Sequence, residues 1–214
     1  MYDFHCHTTM SDGELIPTEL VRRMAVVGYT EMAITDHADF SNVEFLIEAE
    51  KKVKKSAELY GVRLYTGVEV THVPPEEIGE IAKYAKSLGA EVVIVHGETI
   101  TEPVAPGTNL AAVTCPFVNI LAHPGLISDE EAQLAAKNGI FLEVTSRNGH
   151  NKTNGHVVSV ARRAGAKIVV QSDIHGPDDI INENMRNLVA LGAGMSKDEA
   201  KAALSLTSKE ILFR

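Results

Sequence analysis

Short apolar runs alternate with longer amphipathic stretches along most of the chain. The apolar runs are rich in Val, Ile and Leu without strict polar alternation, which is typical of parallel strands buried on both faces. Among the longer stretches, one begins near Pro17 and ends before Gly28, and another opens with Ser128 and Glu131 at the spacing of a capping box. The pattern predicts seven strands, at Tyr2–His5, Met32–Thr35, Arg63–Val70, Val92–His96, Val118–Ala122, Ile140–Val144 and Lys167–Gln171.

Helical segments lie between these strands. They are predicted at residues 17–28, 42–61, 74–89, 128–139, 153–165 and 196–213. Repeated βα units predict a parallel sheet, which is either an open doubly wound sheet or a barrel. No low-complexity tract or long linker interrupts the pattern, so we expect residues 1–214 to form a single domain.

Side chains that bind metals stand at the carboxyl ends of nearly all the predicted strands. In a barrel these ends converge on one rim. In an open sheet they would spread along an edge at ~4.8 Å per strand. Convergence therefore favours a closed or nearly closed barrel with one shared site. The residues concerned are His5, His7, Asp36, His37, Glu69, His96, His123, Asp173 and His175.

The spacing within these strand ends suits metal ligation. His5 and His7 are two positions apart, so they share one face of their strand and can bind one ion. Asp173 and His175 have the same spacing, and Glu69 offers two oxygens that could bridge neighbouring ions. A lone strand-end histidine is usually an ordinary polar residue, but so many together favour a metal cluster. Imidazoles with carboxylates suit Zn, Mn or Fe(II) better than Ca or Mg.

Charge and composition narrow the class of protein. The chain has a net charge of −9, which argues against a broad basic surface for nucleic acid or an anionic membrane. No apolar run approaches the ~18 residues needed to cross a bilayer, so we expect no membrane association and a cytoplasmic location. The two cysteines do not form a disulfide framework.

Six short motifs resemble those of one family. The segments "HCHTTMSDG", "TDH", "GVEV", "VHGE", "AHPG" and "SDIH" occur in this order. They resemble the motifs of the PHP (polymerase and histidinol phosphatase) superfamily, and the resemblance extends from His5 to His175. It implies an α/β fold, a distorted (β/α)7 TIM-like barrel, with a trinuclear metal site and phosphoesterase chemistry.

The same resemblance implies three overlapping ion sites. All nine positions are filled by suitable residue types, so the chain has the full ligand set of the pattern. Asp36, beside His37, is expected to face away from it and to have a supporting role. The implied ligands are, for the first ion, His5, His7, Glu69 and Asp173; for the second, Glu69, His96 and His123; and for the third, Asp12, His37 and His175.

These residues lead to a functional hypothesis. We expect three divalent ions (Zn, Mn or Fe) to generate a metal-bound hydroxide that hydrolyses a small phosphate monoester, with histidinol phosphate as the leading substrate. Asp173 or His175 would assist proton transfer to the leaving group. Arg147, just past the sixth strand, has planar donors that suit a phosphate, and His150 in the same loop is a weaker candidate for substrate binding.

Two alternatives remain open. The first is a phosphodiesterase or nuclease that acts on nucleotides or on single-stranded nucleic acid ends. The acidic charge, an aromatic content of 5% and the absence of Trp weigh against it, because single strands are usually bound on basic and aromatic tracks. The second is a non-catalytic barrel that uses metal structurally or binds a partner.

Overall fold

The computed structural model describes residues 1–212 as a ring of parallel strands surrounded by helices. The strands are β1 (Tyr2–Asp3), β2 (Glu31–Ile34), β3 (His37–Ala38), β4 (Arg63–Val70), β5 (Val92–His96), β6 (Ile120–Ala122), β7 (Phe141–Thr145) and β8 (Ile168–Gln171). The α-helices are α1 (Pro17–Val27), α2 (Val43–Leu59), α3 (Pro75–Leu88), α4 (Thr108–Thr114), α5 (Asp129–Asn138), α6 (Asn154–Ala164), α7 (Glu183–Gly192), α8 (Lys197–Leu204) and α9 (Ser208–Leu212).

The strands follow one another around the ring in the order β1-β2-β4-β5-β6-β7-β8, and all of these pairings are parallel. The short strand β3 continues β2 along the same side of β4. Ile34 pairs with Thr66, and His37 pairs with Glu69. Because β2 and β3 act as one interrupted strand, the ring has seven strand positions. The predicted distorted (β/α)7 TIM-like barrel is confirmed.

The ring closes between β1 and β8 through a narrow seam, formed by residues 4–7 and 171–174. The side-chain oxygen of Gln171 accepts the backbone N–H of Phe4 at 2.7 Å. Beyond it, Cys6 and Ile174 form a parallel bridge, in which the His7 N–H donates to the Ile174 carbonyl at 2.7 Å. The seam therefore places the residue 5–7 segment directly beside the residue 173–175 segment.

Apolar side chains fill the inside of the barrel, and the last helix plugs its amino-terminal end. Helix α9 contributes Ile211 and Leu212, whose carbonyls accept hydrogen bonds from the Asn119 amide. This plug leaves the opposite end, where the strands finish, for polar residues. The interior side chains are Tyr2, Phe4, Ala33, Tyr65, Val92, Ile94, Ile120, Ala122, Phe141, Val169, Ile211 and Leu212.

The helices agree with the sequence pattern except in three places. The predicted capping box is present, since the Ser128 hydroxyl accepts the Glu131 N–H and the Glu131 carboxylate accepts the Ser128 N–H. Helices α4 and α7 were not predicted. The segment predicted as one helix at 196–213 is two, because Ser196 and Glu199 form the capping box that starts α8, and Thr207 and Glu210 form another that starts α9. Phe213 lies outside the described residues. Within residues 1–212, no helix is both long and apolar enough to cross a membrane.

Candidate metal centre

Nine side chains gather at the carboxyl end of the barrel, which we call the mouth, and they are the nine predicted ligands. Their ligand atoms fall into four overlapping groups, and within each group all of these atoms lie within 4.8 Å of one another. This separation suits side chains that share a cation. The groups are His5, His7 and Glu69; His5, His123 and Asp173; Glu69, His96 and His123; and His7, Asp12, His37 and His175.

His5 and His7 face the same two carboxylates. His5 Nε2 lies 3.3 Å from Glu69 Oε1 and 3.6 Å from Asp173 Oδ1. His7 Nε2 lies 3.6 Å from Glu69 Oε2 and 3.4 Å from Asp173 Oδ1. Their two-residue spacing, with Cys6 pointing away into the apolar layer, thus aims both rings into the mouth.

Glu69 is shared between this pair and the next histidines around the ring. Its Oε1 lies 3.5 Å from His123 Nε2, and the His96 ring lies 4.4 Å from the His123 ring. Glu69 belongs to one group with His5 and His7 and to another with His96 and His123. This is the placement that a bridging carboxylate needs, and bridging itself stays a prediction.

The group that contains Asp12 differs in one member from the third ion set that the resemblance implied. Asp12 Oδ2 lies 3.5 Å from His37 Nε2 and 3.3 Å from His175 Nε2. His7 also joins this group, with Nδ1 at 3.8 Å from Asp12 Oδ1. His7 therefore lies between two candidate ion positions and not beside one alone.

The loop that carries Asp12 is held by Asp36. The buried Asp36 carboxylate accepts hydrogen bonds from the Thr8 N–H and Thr8 hydroxyl, both at 2.7 Å, and from the Ser11 hydroxyl at 2.6 Å. The loop also folds tightly at Gly13, where a Cβ would lie 2.7 Å from the backbone of residues 7 and 8. These contacts explain why the "HTTMSDG" segment returns an acid to the mouth.

Two glycines allow the loops after β5 and β6 to cross. A Cβ on Gly97 would lie 2.3 Å from the Ala122 carbonyl oxygen. A Cβ on Gly125, whose φ is +60°, would lie 1.9 Å from the Glu98 carbonyl oxygen. Each glycine follows a histidine ligand candidate by one or two residues, so the close crossing brings those two histidines together.

Strained backbone is found at two of the candidate ligands. His123 has a φ of 24° and Asp173 a φ of 54°, in the region that non-glycine residues rarely adopt. Such residues cost ~1–3 kcal/mol each and occur mostly at functional sites. The strain indicates that the surrounding structure determines where these two side chains point.

Buried polar atoms at the mouth have no hydrogen-bond partner within residues 1–212. Leaving such an atom unpaired costs ~1–3 kcal/mol, and a bound cation would satisfy several of them at once. The nitrogen and oxygen donor set suits Zn, Mn or Fe(II). The residues present therefore fit divalent metal ions. The unpaired atoms are His5 Nε2, His7 Nδ1 and Nε2, Glu69 Oε1, His123 Nδ1 and Asp173 Oδ1.

The cluster combines ionised carboxylates with imidazoles that differ in their protonation. Burial acts to raise the pKa of Glu69, but the His5 and His37 rings hold that pKa well below its usual value. Burial likewise opposes ionisation of Asp173, yet nearby imidazoles, first among them His5, hold its pKa well below its usual value. Burial lowers the pKa of His7 to about 4, so its ring is neutral at physiological pH. Anionic carboxylates and a neutral imidazole are the forms that bind metal. Against the effect of burial, the neighbouring carboxylates raise the pKa of His5 well above its usual value and that of His37 to about 10, so a metal ion must displace protons from these two rings.

Arg147, the predicted phosphate contact, lies half-buried beside the group that contains Asp12 and His175. Its Nη1 donates to Asp179 Oδ2 at 2.9 Å. The same oxygen accepts the backbone N–H groups of His175 at 2.9 Å and Gly176 at 2.8 Å. Arg147 is thereby tied to the loop that carries His175, and contact with a substrate stays a prediction.

His150, the weaker substrate candidate, is buried against the rings of His96 and His123. Its ring lies 4.2 Å from the His123 ring, and its Nδ1 lies 3.1 Å from the Thr99 hydroxyl. Burial and the neighbouring His123 lower the pKa of His150 to about 4. His150 is therefore a neutral ring at the edge of the mouth.

Sequence reasoning missed two acids. Glu143 is fully buried on β7, with Oε1 2.7 Å from His5 Nδ1. A sequence signal for Glu143 exists, because it stands near the carboxyl end of the predicted strand Ile140–Val144. That strand contributes none of the nine predicted ligands. Glu102 lies in the loop after β5, 3.7 Å from His96 Nε2 and 3.5 Å from His72 Nε2. The neighbouring His96 ring lowers the pKa of Glu102 to about 2, and no sequence pattern marks this loop position.

Comparisons with known proteins agree with this architecture. The chain is 49% identical over its full length to an uncharacterized protein of Methanocaldococcus jannaschii, and the match covers 99% of that protein. It is 26% identical to ribonuclease P protein component 3 of Methanosarcina barkeri, over all of this chain and 89% of that one. The crystal structure of a Listeria monocytogenes protein assigned as a histidinol phosphatase superposes with a TM-score of 0.66 at 14% identity, covering 86% of this chain and 99% of that one, which shows a shared fold.

The family model of the PHP domain matches residues 3–139. This segment includes seven of the nine predicted ligands, whereas Asp173 and His175 lie beyond it. The seam brings those two residues to the same mouth. The chain therefore belongs to the PHP family.

Proposed function

We propose that this PHP-family phosphoesterase hydrolyses a small phosphate monoester with the help of three divalent ions. The observation that carries the proposal is the set of four overlapping groups of imidazole and carboxylate atoms at one mouth. When bound, divalent ions lower the pKa of water and neutralise charge on a phosphoryl group. The nine predicted ligands are the residues that would hold them.

Charge at the mouth suits a phosphate dianion. Three divalent ions would outweigh the five carboxylates there, which belong to Asp12, Glu69, Asp173, Glu143 and Glu102. The local charge would be positive although the chain carries a net charge of −9. Such a local excess attracts an anionic substrate into an acidic protein.

Three further side chains have proposed roles toward the substrate. Arg147 would bind the phosphate through the guanidinium donors that Asp179 does not use, because that ion pair holds the group in place beside the mouth. His150 would offer a neutral ring to the same substrate. Asp173 Oδ1 and His175 Nδ1 lie 3.3 Å apart, and this pair would assist proton transfer to the leaving alkoxide.

Two observations favour histidinol phosphate as the substrate. The first is the fold shared with the Listeria monocytogenes protein, and the second is the position of Glu102. The ionised carboxylate of Glu102 lies at the His96 side of the mouth, with about half of its side chain exposed. A carboxylate there suits a substrate whose alcohol part is a cation. Glu102→Gln is expected to lower kcat/KM for amino-alcohol phosphates while leaving kcat/KM almost unchanged for monoesters whose alcohol part carries no charge.

A phosphatase assay tests the proposal. Metal-free protein is incubated with p-nitrophenyl phosphate, its bis-ester and histidinol phosphate, with and without Mn²⁺ or Zn²⁺. We expect metal-dependent turnover of the monoesters and little turnover of the bis-ester. Turnover of neither class would leave the non-catalytic alternative.

Arg147→Ala tests the phosphate contact. We expect KM to rise about tenfold with little change in kcat, because one charge-assisted contact is lost. Arg163→Ala is the matched control, since Arg163 forms an exposed ion pair with Asp129 at 2.7 Å. An unchanged KM in Arg147→Ala would discard the assignment.

Hydrolysis of a phosphodiester in nucleic acid is the second candidate. The ribonuclease P component among the relatives favours it, and so does Phe40, whose side chain is 44% exposed three residues after His37. An exposed aromatic ring can stack on a base. Turnover of short oligonucleotides that falls in Phe40→Ala would support this function over the monoesterase.

A further inference from the structure

One buried carboxylate holds two of the predicted ligands from behind. Glu143 Oε1 lies 2.7 Å from His5 Nδ1, and Glu143 Oε2 accepts the backbone N–H of His123 at 2.9 Å. Glu143 belongs to none of the four groups formed by residues 1–212. We propose that Glu143 is a positioning residue that orients His5 and His123 together, and so couples the ion sites to which they belong. The inference rests on the metal-dependent function proposed above.

A carboxylate suits this place because it accepts a hydrogen bond on each oxygen. When His5 donates its Nδ1–H to Glu143, the free lone pair of Nε2 points toward Glu69 and Asp173, at 3.3 Å and 3.6 Å. This Nε2 is one of the buried atoms without a hydrogen-bond partner in the described chain. Carboxylate partners of this kind fix the tautomer and the ring orientation of metal-binding histidines.

The second oxygen of Glu143 supports a different property. His123 has a φ of 24°, and its backbone needs fixed partners to stay in that region. The bond from the His123 N–H to Glu143 anchors this peptide, and His123 Nε2 then lies 3.5 Å from Glu69 Oε1. Because one carboxylate serves both histidines, its loss disturbs two neighbouring ion sites at once.

Metal titration of Glu143→Ala tests the inference. The metal-free wild-type and variant proteins are titrated with Zn²⁺ or Mn²⁺ against a competing chelator, and folding is checked by circular dichroism. We expect the variant to bind the ions of the His5 and His123 groups 10- to 100-fold more weakly. The ion of the Asp12 group should keep its affinity, because Glu143 contacts none of its members. Wild-type affinity at every site in Glu143→Ala would overturn the inference.

A matched control separates positioning from general stability. Glu50 is also fully buried and accepts a strand N–H, that of Gly67 at 2.8 Å, but it contacts no candidate ligand. Glu50→Ala should lower the melting temperature without weakening metal binding. Equal weakening in Glu50→Ala would show that loss of a buried carboxylate acts through stability alone, which contradicts the inference.

Two further measurements keep the inference testable if Glu143→Ala does not fold or if the proposed function is wrong. If Glu143→Ala does not fold, the isosteric Glu143→Gln replaces it. Its amide group would face one of the two N–H donors, so weaker binding is expected and unchanged binding would overturn the inference. NMR of the metal-free protein should show a His5 Nδ1–H proton in a hydrogen bond in wild type but not in Glu143→Ala, because Glu143 is its acceptor. This result does not depend on metal, whereas failure of the wild type to bind any ion would overturn the proposed function.

Discussion

Replacing Gly125 with Ala should separate the two loops that bring His96 and His123 together. The added Cβ would lie 1.9 Å from the carbonyl oxygen of Glu98 and 2.7 Å from its carbonyl carbon. Both atoms belong to the backbone, so rotation of a side chain cannot relieve the overlap. The Glu98 carbonyl oxygen would have to move away until it lies at least 3.4 Å from the new Cβ, which is the distance of an ordinary contact.

Two contributions set the magnitude. The φ of +60° at Gly125 costs an alanine ~1–2 kcal/mol. Overpacking against fixed atoms typically adds ~1–3 kcal/mol. We therefore expect Gly125→Ala to lose ~2–5 kcal/mol of unfolding free energy, which is a large part of the ~5–15 kcal/mol of an ordinary domain. The moved loop should also weaken metal binding by His96 and His123.

Urea unfolding of the metal-free protein and metal titration measure the two effects. Gly165→Ala is the control, because Gly165 has a φ of +72° but no atom within 4 Å of the added Cβ. That variant should show only the backbone cost of ~1–2 kcal/mol and normal metal affinity. If both variants lose equal stability, or if Gly125→Ala binds metal like wild type, then the loop crossing does not position the histidines.

Three other perturbations have defined outcomes. Burial raises the pKa of Glu50 well above 4.5, so the folded state keeps a proton that the unfolded chain releases, and stability falls as pH rises above that value. The unfolding free energy of Glu50→Gln, measured by urea unfolding across pH, should therefore rise relative to wild type by up to ~1.4 kcal/mol per pH unit above pH 4.5. Below pH 4.5 the difference between the two proteins should not change with pH. Ile211→Ala in the plug should cost ~2–4 kcal/mol of unfolding free energy, against less than ~0.5 kcal/mol for the exposed Leu59→Ala. Zn²⁺ or Mn²⁺ at 100 times its Kd should stabilise the protein by ~2.7 kcal/mol for each ion bound and EDTA should reverse this, whereas an unchanged melting temperature would contradict a metal centre formed by folding.

The sequence was sufficient for the barrel because its signals are local and repeated. Apolar runs without alternation indicate buried parallel strands, and the strand ends converge only if the sheet closes. The two-residue spacing of His5 and His7 placed both rings on one face. The structure gathers all nine predicted ligands at one mouth for the same geometrical reason.

The features that the sequence did not reveal depend on contacts between distant segments. Glu102 reaches the mouth from a loop, and no periodic pattern locates a loop side chain in space. The membership of His7 in the Asp12 group depends on how far the "HTTMSDG" loop folds back, which Asp36 determines from another strand. The sequence pattern predicts one helix over 196–213, whereas the cap at Thr207 starts α9 as a separate helix.

The seam joins segments that are 167 positions apart, as measured from Phe4 to Gln171. Contacts between such distant segments form slowly during folding, because the intervening chain must first be brought together. A nascent chain or a proteolytic fragment that carries only one side of the seam therefore has an incomplete donor set. On the proposed function, the full set of ion sites therefore forms only after the ring has closed.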